Sequence, residues 1–141
     1  MREVNGVNLH FRDIGCGPPV VLLHGHGQSN RVFRHLERRL AHDCRVILID
    51  SRGHGLSERG DKPLSIPLMA RDVAAVMDRL EIERAAIAGF SDGANIALQM
   101  AVDFPARTDC VVAISGNARP EGLKPSYLRL LRARKRLDRK S

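Results

Sequence analysis

The sequence has no tryptophan, and aromatic residues make up only 4% of its 141 residues. The core must therefore be built from aliphatic side chains. No apolar run approaches the roughly 20 residues that a membrane-spanning helix needs, and residues 1–6 do not have the apolar segment of a signal peptide. We therefore expect no stable membrane insertion and a cytoplasmic location. The length suits one domain with a real core and is too short for two.

Cysteine is scarce as well. The chain has three cysteines, Cys16, Cys44 and Cys110, and no two of them form a CxxC pair. This spacing indicates neither a zinc site nor a disulfide framework. We expect the three thiols to be buried and inert, and we expect no metal and no cofactor.

Positive charge is in excess, but the excess is confined to one end of the chain. The formal net charge is +7, and residues 124–141 contain eight Lys or Arg and one acid, Asp138. The first 123 residues hold fifteen basic and fifteen acidic residues. A nucleic-acid-binding protein has a basic face on its folded surface, and a short terminal run is a weaker indication. We therefore predict no nucleic-acid partner.

Apolar patterning predicts strands that alternate with helices. Residues 4–12 alternate polar and apolar side chains around Asn5-Gly6, which is a hairpin signal. The continuous apolar runs at 20–23, 45–49, 85–88 and 110–114 are typical of strands that are buried on both faces. Helical spacing relates Phe33, Leu36 and Leu40, then Met69, Val73, Val76 and Leu80, and a buried helix is predicted at 92–101. The pattern indicates an α/β fold, with a mostly parallel sheet of about six strands and helices on both faces.

The segment Gly89-Phe90-Ser91-Asp92-Gly93 lies between a predicted strand and the predicted buried helix. It is a G-x-S-x-G nucleophile elbow in the context that this motif requires. The strand turns into the helix so sharply that the serine adopts a strained backbone, and the residues two before and two after it must be small. Ser91 is therefore the predicted catalytic nucleophile, with Gly89 and Gly93 as the elbow glycines.

A second glycine-rich segment, His24-Gly25-His26-Gly27, follows the first buried strand. Glycines at this position allow backbone N–H groups to approach a ligand closely. Acyl transfer needs two such donors aimed at the tetrahedral oxygen. The predicted oxyanion hole consists of the N–H of His26 and the N–H of Asp92, the residue after the nucleophile.

Three segments together make the chain resemble the α/β-hydrolase superfamily over about its first 117 residues. They are residues 22–29 (LLHGHGQS), residues 50–57 (DSRGHGLS) and residues 89–95 (GFSDGAN). The resemblance implies Ser91 as nucleophile, an oxyanion hole from the backbone of His26 and Asp92, and the strand order 1-2-4-3-5-6. It also implies hydrolysis of an ester or a related acyl bond in a small-molecule substrate.

The resemblance also divides the chain into two parts. Residues 1–117 correspond to the N-terminal part of a hydrolase core, and residues 118–141 to the start of a cap or to a basic C-terminal tail. Members of the family are usually much longer and supply the catalytic acid and the histidine base after the cap, so we expect the chain to stop before both. The last strand, 111–114, would then be an exposed apolar edge, which favours self-association.

The catalytic base is therefore an open question. All six histidines precede Ser91, and the predicted site has only His24, His26 and His54 near it. A serine hydroxyl is a weak nucleophile without a base. One alternative is accordingly a non-catalytic fragment of a hydrolase or an interaction protein.

A second alternative is a nucleotide-binding module. Residues 25–30 follow a strand and open a helix, and Asp50 ends the next strand, as in a dinucleotide-binding fingerprint. The fingerprint is incomplete because Asn30 stands where its third glycine belongs. This alternative also leaves the elbow at Ser91 unexplained.

Overall fold

The structure is a computed structural model that describes residues 2–114. Its strands are β1 (Arg2–Val4), β2 (Val7–Leu9), β3 (Phe11–Ile14), β4 (Pro19–Leu23), β5 (Arg45–Ile49), β6 (Ala85–Phe90) and β7 (Thr108–Ile114). Its α-helices are α1 (Arg34–Leu40), α2 (Ile66–Arg79) and α3 (Asp92–Asp103). Short 3₁₀ helices at Asn30–Phe33 and Pro105–Arg107 precede α1 and β7.

Five strands form one sheet in the order β3-β5-β4-β6-β7. The strands β5, β4, β6 and β7 are parallel, and β3 pairs antiparallel with β5 at one edge. A helix connects each parallel strand to the next one along the chain, as parallel pairing requires. The fold is therefore α/β with a mostly parallel sheet.

The first residues differ in detail from the sequence prediction. The predicted second strand is interrupted at His10, so β1 and β2 pair as a separate hairpin and β3 alone joins the main sheet. The reason is burial, because Val4, Val7 and Leu9 turn into the core that α2 also covers. The described chain thus has seven strands, five of them in the main sheet, and from β3 onward their order is the one that the resemblance implies.

Both faces of the sheet are covered. Successive side chains of a strand point to opposite faces. In β4, Val21 and Leu23 belong to the large core cluster with residues of α2 and α3, whereas Leu22 packs with Phe33 and Leu40 on the α1 side. The middle strands therefore need apolar residues at every position, which explains their continuous apolar runs.

Helix α2 shows the predicted amphipathic face. Met69, Val73 and Val76 are buried in the core, and Leu80 follows the last turn of the helix as its C-cap. The Ser65 side chain accepts a hydrogen bond from the Leu68 N–H and so fixes the start of the helix. None of the helices within residues 2–114 is long and apolar enough to cross a membrane.

Strand β7 lies at one edge of the sheet among the described residues. Val112 and Ile114 are 51% and 54% exposed there. Self-association through this strand remains a prediction. The predicted boundary near residue 117 and the segment 118–141 lie outside the described residues.

The cysteine prediction was partly wrong. All three cysteines are free, but Cys16 is exposed and Cys44 and Cys110 are only partly buried. Cys16 lies in the turn between β3 and β4, beside Gly15 and Gly17, where no core is available to bury it.

Candidate active site

Ser91 has a strained backbone at the turn from β6 into α3. Its φ of 56° and ψ of −116° put a residue with a Cβ in a region that is normally left to glycine. The Ser91 N–H donates to the carbonyl of Ile114 at 2.9 Å, which ties the elbow to β7. Ser91 itself is exposed. Strain of this kind is commonly found at functional sites, where the surrounding structure holds it in place.

The two elbow glycines are required by close backbone approach. A Cβ on Gly89 would overlap the carbonyl of Gly93, and a Cβ on Gly93 would overlap the carbonyl of Leu23. The start of α3 therefore packs directly against the ends of β6 and β4. This packing leaves Ser91 at the apex of the turn, pointing away from the core.

The loop after β4 lies against the nucleophile. A Cβ on Gly25 would come within 3.1 Å of the Ser91 Cβ and 3.3 Å of the Phe90 carbonyl oxygen. The Gln28 side chain holds the loop by accepting from the Gly25 N–H at 2.9 Å. The sheet pairing explains the proximity, because Leu23 of β4 is level with Gly89 of β6.

The two predicted oxyanion donors flank this contact. Asp92 is the first residue of α3, so its N–H has no partner within the helix. His26 is exposed, and no group within residues 2–114 accepts a hydrogen bond from its N–H. The partial positive charge of the α3 N-terminus favours negative charge at the same place. Neither N–H has an acceptor among the described residues, and the oxyanion hole stays a prediction.

The side chains of the same residues also meet. His26 Nδ1 and Asp92 Oδ2 are 3.7 Å apart, and His26 is 81% exposed. The ring of His54 lies 5.4 Å from the ring of His26 and 5.3 Å from that of His24, measured between ring centroids. A cleft of only about 10 Å³ separates these residues from Met69 and Ile96.

His24 is structural. Its ring is buried, with Nδ1 at 2.7 Å from the Gly25 carbonyl and Nε2 accepting from the Ser51 N–H at 3.0 Å. These bonds require the neutral tautomer with the proton on Nδ1. Burial accordingly lowers the pKa of His24 below its usual 6.5. With both ring nitrogens bound to the main chain, His24 is not available as a base for Ser91.

No histidine within the described residues forms a hydrogen bond with Ser91 Oγ. His54 directs its Nδ1 to the Arg52 carbonyl at 3.2 Å. None of His24, His26 and His54 is therefore in position to act as a base for Ser91 in this structure. No group of three or more metal-ligating side chains occurs within residues 2–114.

A buried carboxylate joins the two loops that surround the site. Asp50 is 2% exposed, and its Oδ1 accepts from the backbone N–H and the side-chain amide of Asn30, at 2.8 and 2.7 Å. Its Oδ2 accepts from the Leu56 N–H at 3.0 Å. Arg12 in turn donates to the Asn30 side-chain oxygen and to Glu37. Asp50 therefore fixes the end of the loop after β4 and the loop after β5 together.

The position of Asp50 argues against a nucleotide-binding module. A ribose-binding acid needs a carboxylate that is open to the ligand. Both oxygens of Asp50 are bound inside the protein instead. Asn30, which stands in place of the third glycine, is one of the residues that close it off.

Sequence reasoning missed a second buried network. Arg52 and Asp72 form a two-bond ion pair at 2.8 Å, with side chains only 2% and 4% exposed. Asn5 completes the network, because its side-chain amide donates to Asp72 and its backbone carbonyl accepts from Arg52. These contacts join the hairpin turn, the loop after β5 and α2. The one signal in the sequence was an acid on the buried face of a helix, and nothing there identified its partner.

The chain was then compared with known protein families. A family model described as the alpha/beta hydrolase fold matches residues 18–135, which is most of the chain. The chain belongs to the α/β-hydrolase superfamily. The match includes the loop after β4, the loop after β5 and the elbow at Ser91.

Individual relatives agree with this assignment. A putative carbamate hydrolase, RutD of Azorhizobium caulinodans, is 36% identical over 115 residues, covering 82% of this chain and 43% of the relative. The AB hydrolase superfamily protein YisY of Bacillus subtilis is 36% identical over 123 residues, covering 86% of this chain and 46% of the relative. The chain thus spans less than half the length of these curated relatives.

Solved structures show the same fold. Est816, described as an N-acyl homoserine lactone degrading enzyme, superposes with a TM-score of 0.77 at 35% identity, covering 87% of this chain and 48% of that one. A hydrolase from Pseudomonas aeruginosa PA01 superposes with a TM-score of 0.75 at 28% identity, covering 82% of this chain and 45% of that one.

Proposed function

We propose that the chain carries the nucleophile and the oxyanion hole of a serine hydrolase that cleaves an ester or a related acyl bond. Ser91 attacks the acyl carbon. The N–H groups of His26 and Asp92 receive the negative charge that develops on the acyl oxygen. The substrate in this proposal is a small molecule, in line with relatives that are named for a carbamate and for an N-acyl homoserine lactone.

The observation that carries the proposal is the conformation of Ser91. An exposed serine with a φ of 56° is costly, and here the close packing around Gly25, Gly89 and Gly93 holds it in place. A loop serine without a chemical role would have no reason to be held in this way. The unpaired N–H of Asp92 and the adjacent loop then supply donors at the place where acyl chemistry needs them.

The relatives support the same reaction class. RutD is named a putative carbamate hydrolase and Est816 is described as a lactone-degrading enzyme, and both names refer to cleavage at an acyl carbon.

A fluorophosphonate probe tests the proposal, because it labels activated serines covalently. Since no described histidine reaches Ser91 Oγ, the labelling is run with and without added imidazole, which supplies an external base. We expect labelling that imidazole accelerates, that disappears in Ser91→Ala and that persists in Ser29→Ala. Labelling that survives in Ser91→Ala, or its absence from the folded chain with imidazole present, would contradict the proposal.

A further inference from the structure

A second cavity of the described residues does not belong to the candidate active site. It has a volume of about 500 Å³, within the range of roughly 300–1,000 Å³ that is usual for small-molecule sites. Its walls come from β3, the 3₁₀ helix at Asn30–Phe33, the start of α1 and the loop after β5. It shares no residue with the cleft beside His26 and Asp92.

Three arginines line this cavity, and two of them have free guanidinium groups. Arg12 is engaged with Glu37 and Asn30. Arg31 and Arg34 also line the cavity and are exposed, and neither side chain forms an ion pair or hydrogen bond within residues 2–114. The cavity therefore has two unsatisfied positive charges on one wall.

The two acids leave the lining with a net charge of +1, because Arg12, Arg31 and Arg34 stand against Glu37 and Asp50. Glu37 is paired with Arg12 at 2.6 Å. Asp50 is 2% exposed, and its two oxygens accept three hydrogen bonds from Asn30 and Leu56. Both carboxylates are thus already satisfied within the protein.

The remaining lining groups suit an anion with an apolar part. Ser29 offers a hydroxyl, and His10 a ring nitrogen, near the arginines. Leu56 is 61% exposed at the same cavity and adds an apolar surface to its lining. The cavity therefore combines a positive wall with an apolar surface.

We propose that this cavity, lined by Arg31, Arg34, Ser29 and Leu56, binds a small organic dianion. Two guanidinium groups match the charge of a phosphate monoester, about −1.5 to −2 at pH 7, and their planar forks suit its oxygens. A pair of carboxylates on one molecule carries the same charge. The organic part of the ligand packs on Leu56. The site is independent of Ser91 chemistry, because none of its residues belongs to the elbow.

Calorimetric titration with phenyl phosphate and with phthalate tests the site, with phenol as the neutral probe. Both anions carry an aromatic ring, so the tighter binder identifies phosphate or paired carboxylates as the preferred group. We expect the wild-type chain to bind at least one of the two anions saturably and not to bind phenol. The Ser91→Ala variant should bind as the wild type does, which separates this result from the proposed hydrolase function.

The decisive comparison is between two double variants with the same charge. In Arg31→Gln/Arg34→Gln the cavity loses both free cations, and we expect the dissociation constant to rise at least about tenfold, since hydrogen bonds to charged groups are the strong ones. The control Arg38→Gln/Arg39→Gln removes two exposed cations of α1 that do not line the cavity, and should change the dissociation constant less than about twofold.

Circular dichroism and thermal melting check that both double variants are folded. If Arg31→Gln/Arg34→Gln does not fold, the single variants Arg31→Gln and Arg34→Gln take its place. Absence of saturable anion binding to the wild type would overturn the proposal. Equal weakening in both double variants would also overturn it, because binding would then follow the general charge of the helix.

Discussion

The loops that follow β5 and β6 both begin at the C-terminal ends of the parallel strands, on either side of β4. They keep their shape by opposite means. The elbow after β6 depends on the absence of side chains, since Gly89 and Gly93 allow backbones to touch. The loop after β5 depends on buried polar side chains: Asp50 accepts from Asn30 and Leu56, and Arg52 is paired with Asp72. The first loop is defined by steric exclusion and the second by electrostatics.

The difference also decides what each loop does. The elbow leaves its one reactive side chain, Ser91, exposed at an apex. The loop after β5 leaves its charged side chains buried, at 2% exposure for Asp50 and 1% for Arg52. The proposed nucleophile is thus presented by a glycine turn, while the groups that hold the shape of the other loop are buried and hydrogen-bonded.

Gly93→Ala gives the largest expected effect. The added Cβ overlaps the Leu23 carbonyl and approaches the His24 carbonyl at 2.7 Å, and backbone there has no room to shift. We expect a loss of at least about 3 kcal/mol in the free energy of unfolding, enough to prevent folding of a marginal domain. Urea unfolding followed by circular dichroism measures it.

Gly27→Ala is the matched control for that variant. Gly27 has a φ of 74°, but nothing lies within 4 Å of an added Cβ. The cost is then backbone strain alone, about 1–2 kcal/mol. Equal destabilisation by the two variants would show that close packing at the elbow is not what requires its glycines.

Asp72→Ala tests the buried pair of the other loop. The change leaves Arg52 buried without its partner, for which the expected cost is about 3–5 kcal/mol. The double variant Arg52→Met/Asp72→Leu removes both charges together and should recover most of this loss. If the double variant were as unstable as Asp72→Ala, the unpaired charge would not be the cause. Chemical unfolding of the three proteins provides the measurement.

Asp50→Asn should have a smaller effect. An amide in this position can still accept from Asn30, but its NH₂ group faces the Leu56 N–H and leaves that donor unsatisfied. We expect about 1–3 kcal/mol of destabilisation. The control Asp43→Asn changes an exposed carboxylate and should stay within about 0.5 kcal/mol. Hydrogen exchange at Leu56 should accelerate only in the first variant.

His24 gives the smallest effect, a dependence of stability on pH. Its pKa in the folded chain is lowered by burial below the 6.5 of an unfolded chain. Between the folded pKa and pH 6.5, the unfolded state therefore binds more protons than the folded state. The stabilisation is fully present above pH 6.5 and decreases as the pH falls below 6.5. The decrease ends once the pH is below the folded pKa.

Unfolding free energies measured across this pH range check the prediction. His24→Gln should remove part of the slope, whereas His42→Gln, at an exposed position, should retain it. An unchanged slope in His24→Gln would mean that other groups are responsible for the pH dependence.

The sequence was sufficient for the features that local rules control. Continuous apolar runs located β4, β5, β6 and β7, because strands buried on both faces have no polar side. The spacing of glycines around Ser91 located the elbow, because that turn tolerates nothing larger. Both signals are contained in a few consecutive residues.

Features that depend on distant partners could not be predicted. Asn5 and Asp72 are 67 positions apart, and Arg52 and Asp72 are 20 apart, so only the folded chain brings them together. The break at His10, which separates the hairpin from β3, likewise follows from packing against α2. The cavity beside Arg31 and Arg34 is formed by four separate segments and has no signature in the sequence.

Mass spectrometry of the fluorophosphonate-treated chain, with imidazole present, tests the central claim most directly. The account predicts one adduct per chain, on the peptide that contains Ser91, and no adduct after prior unfolding in urea, because the strained elbow and its N–H donors exist only in the folded state. An adduct on another serine, or equal labelling of the folded and unfolded chain, would contradict the assignment of Ser91 as the nucleophile.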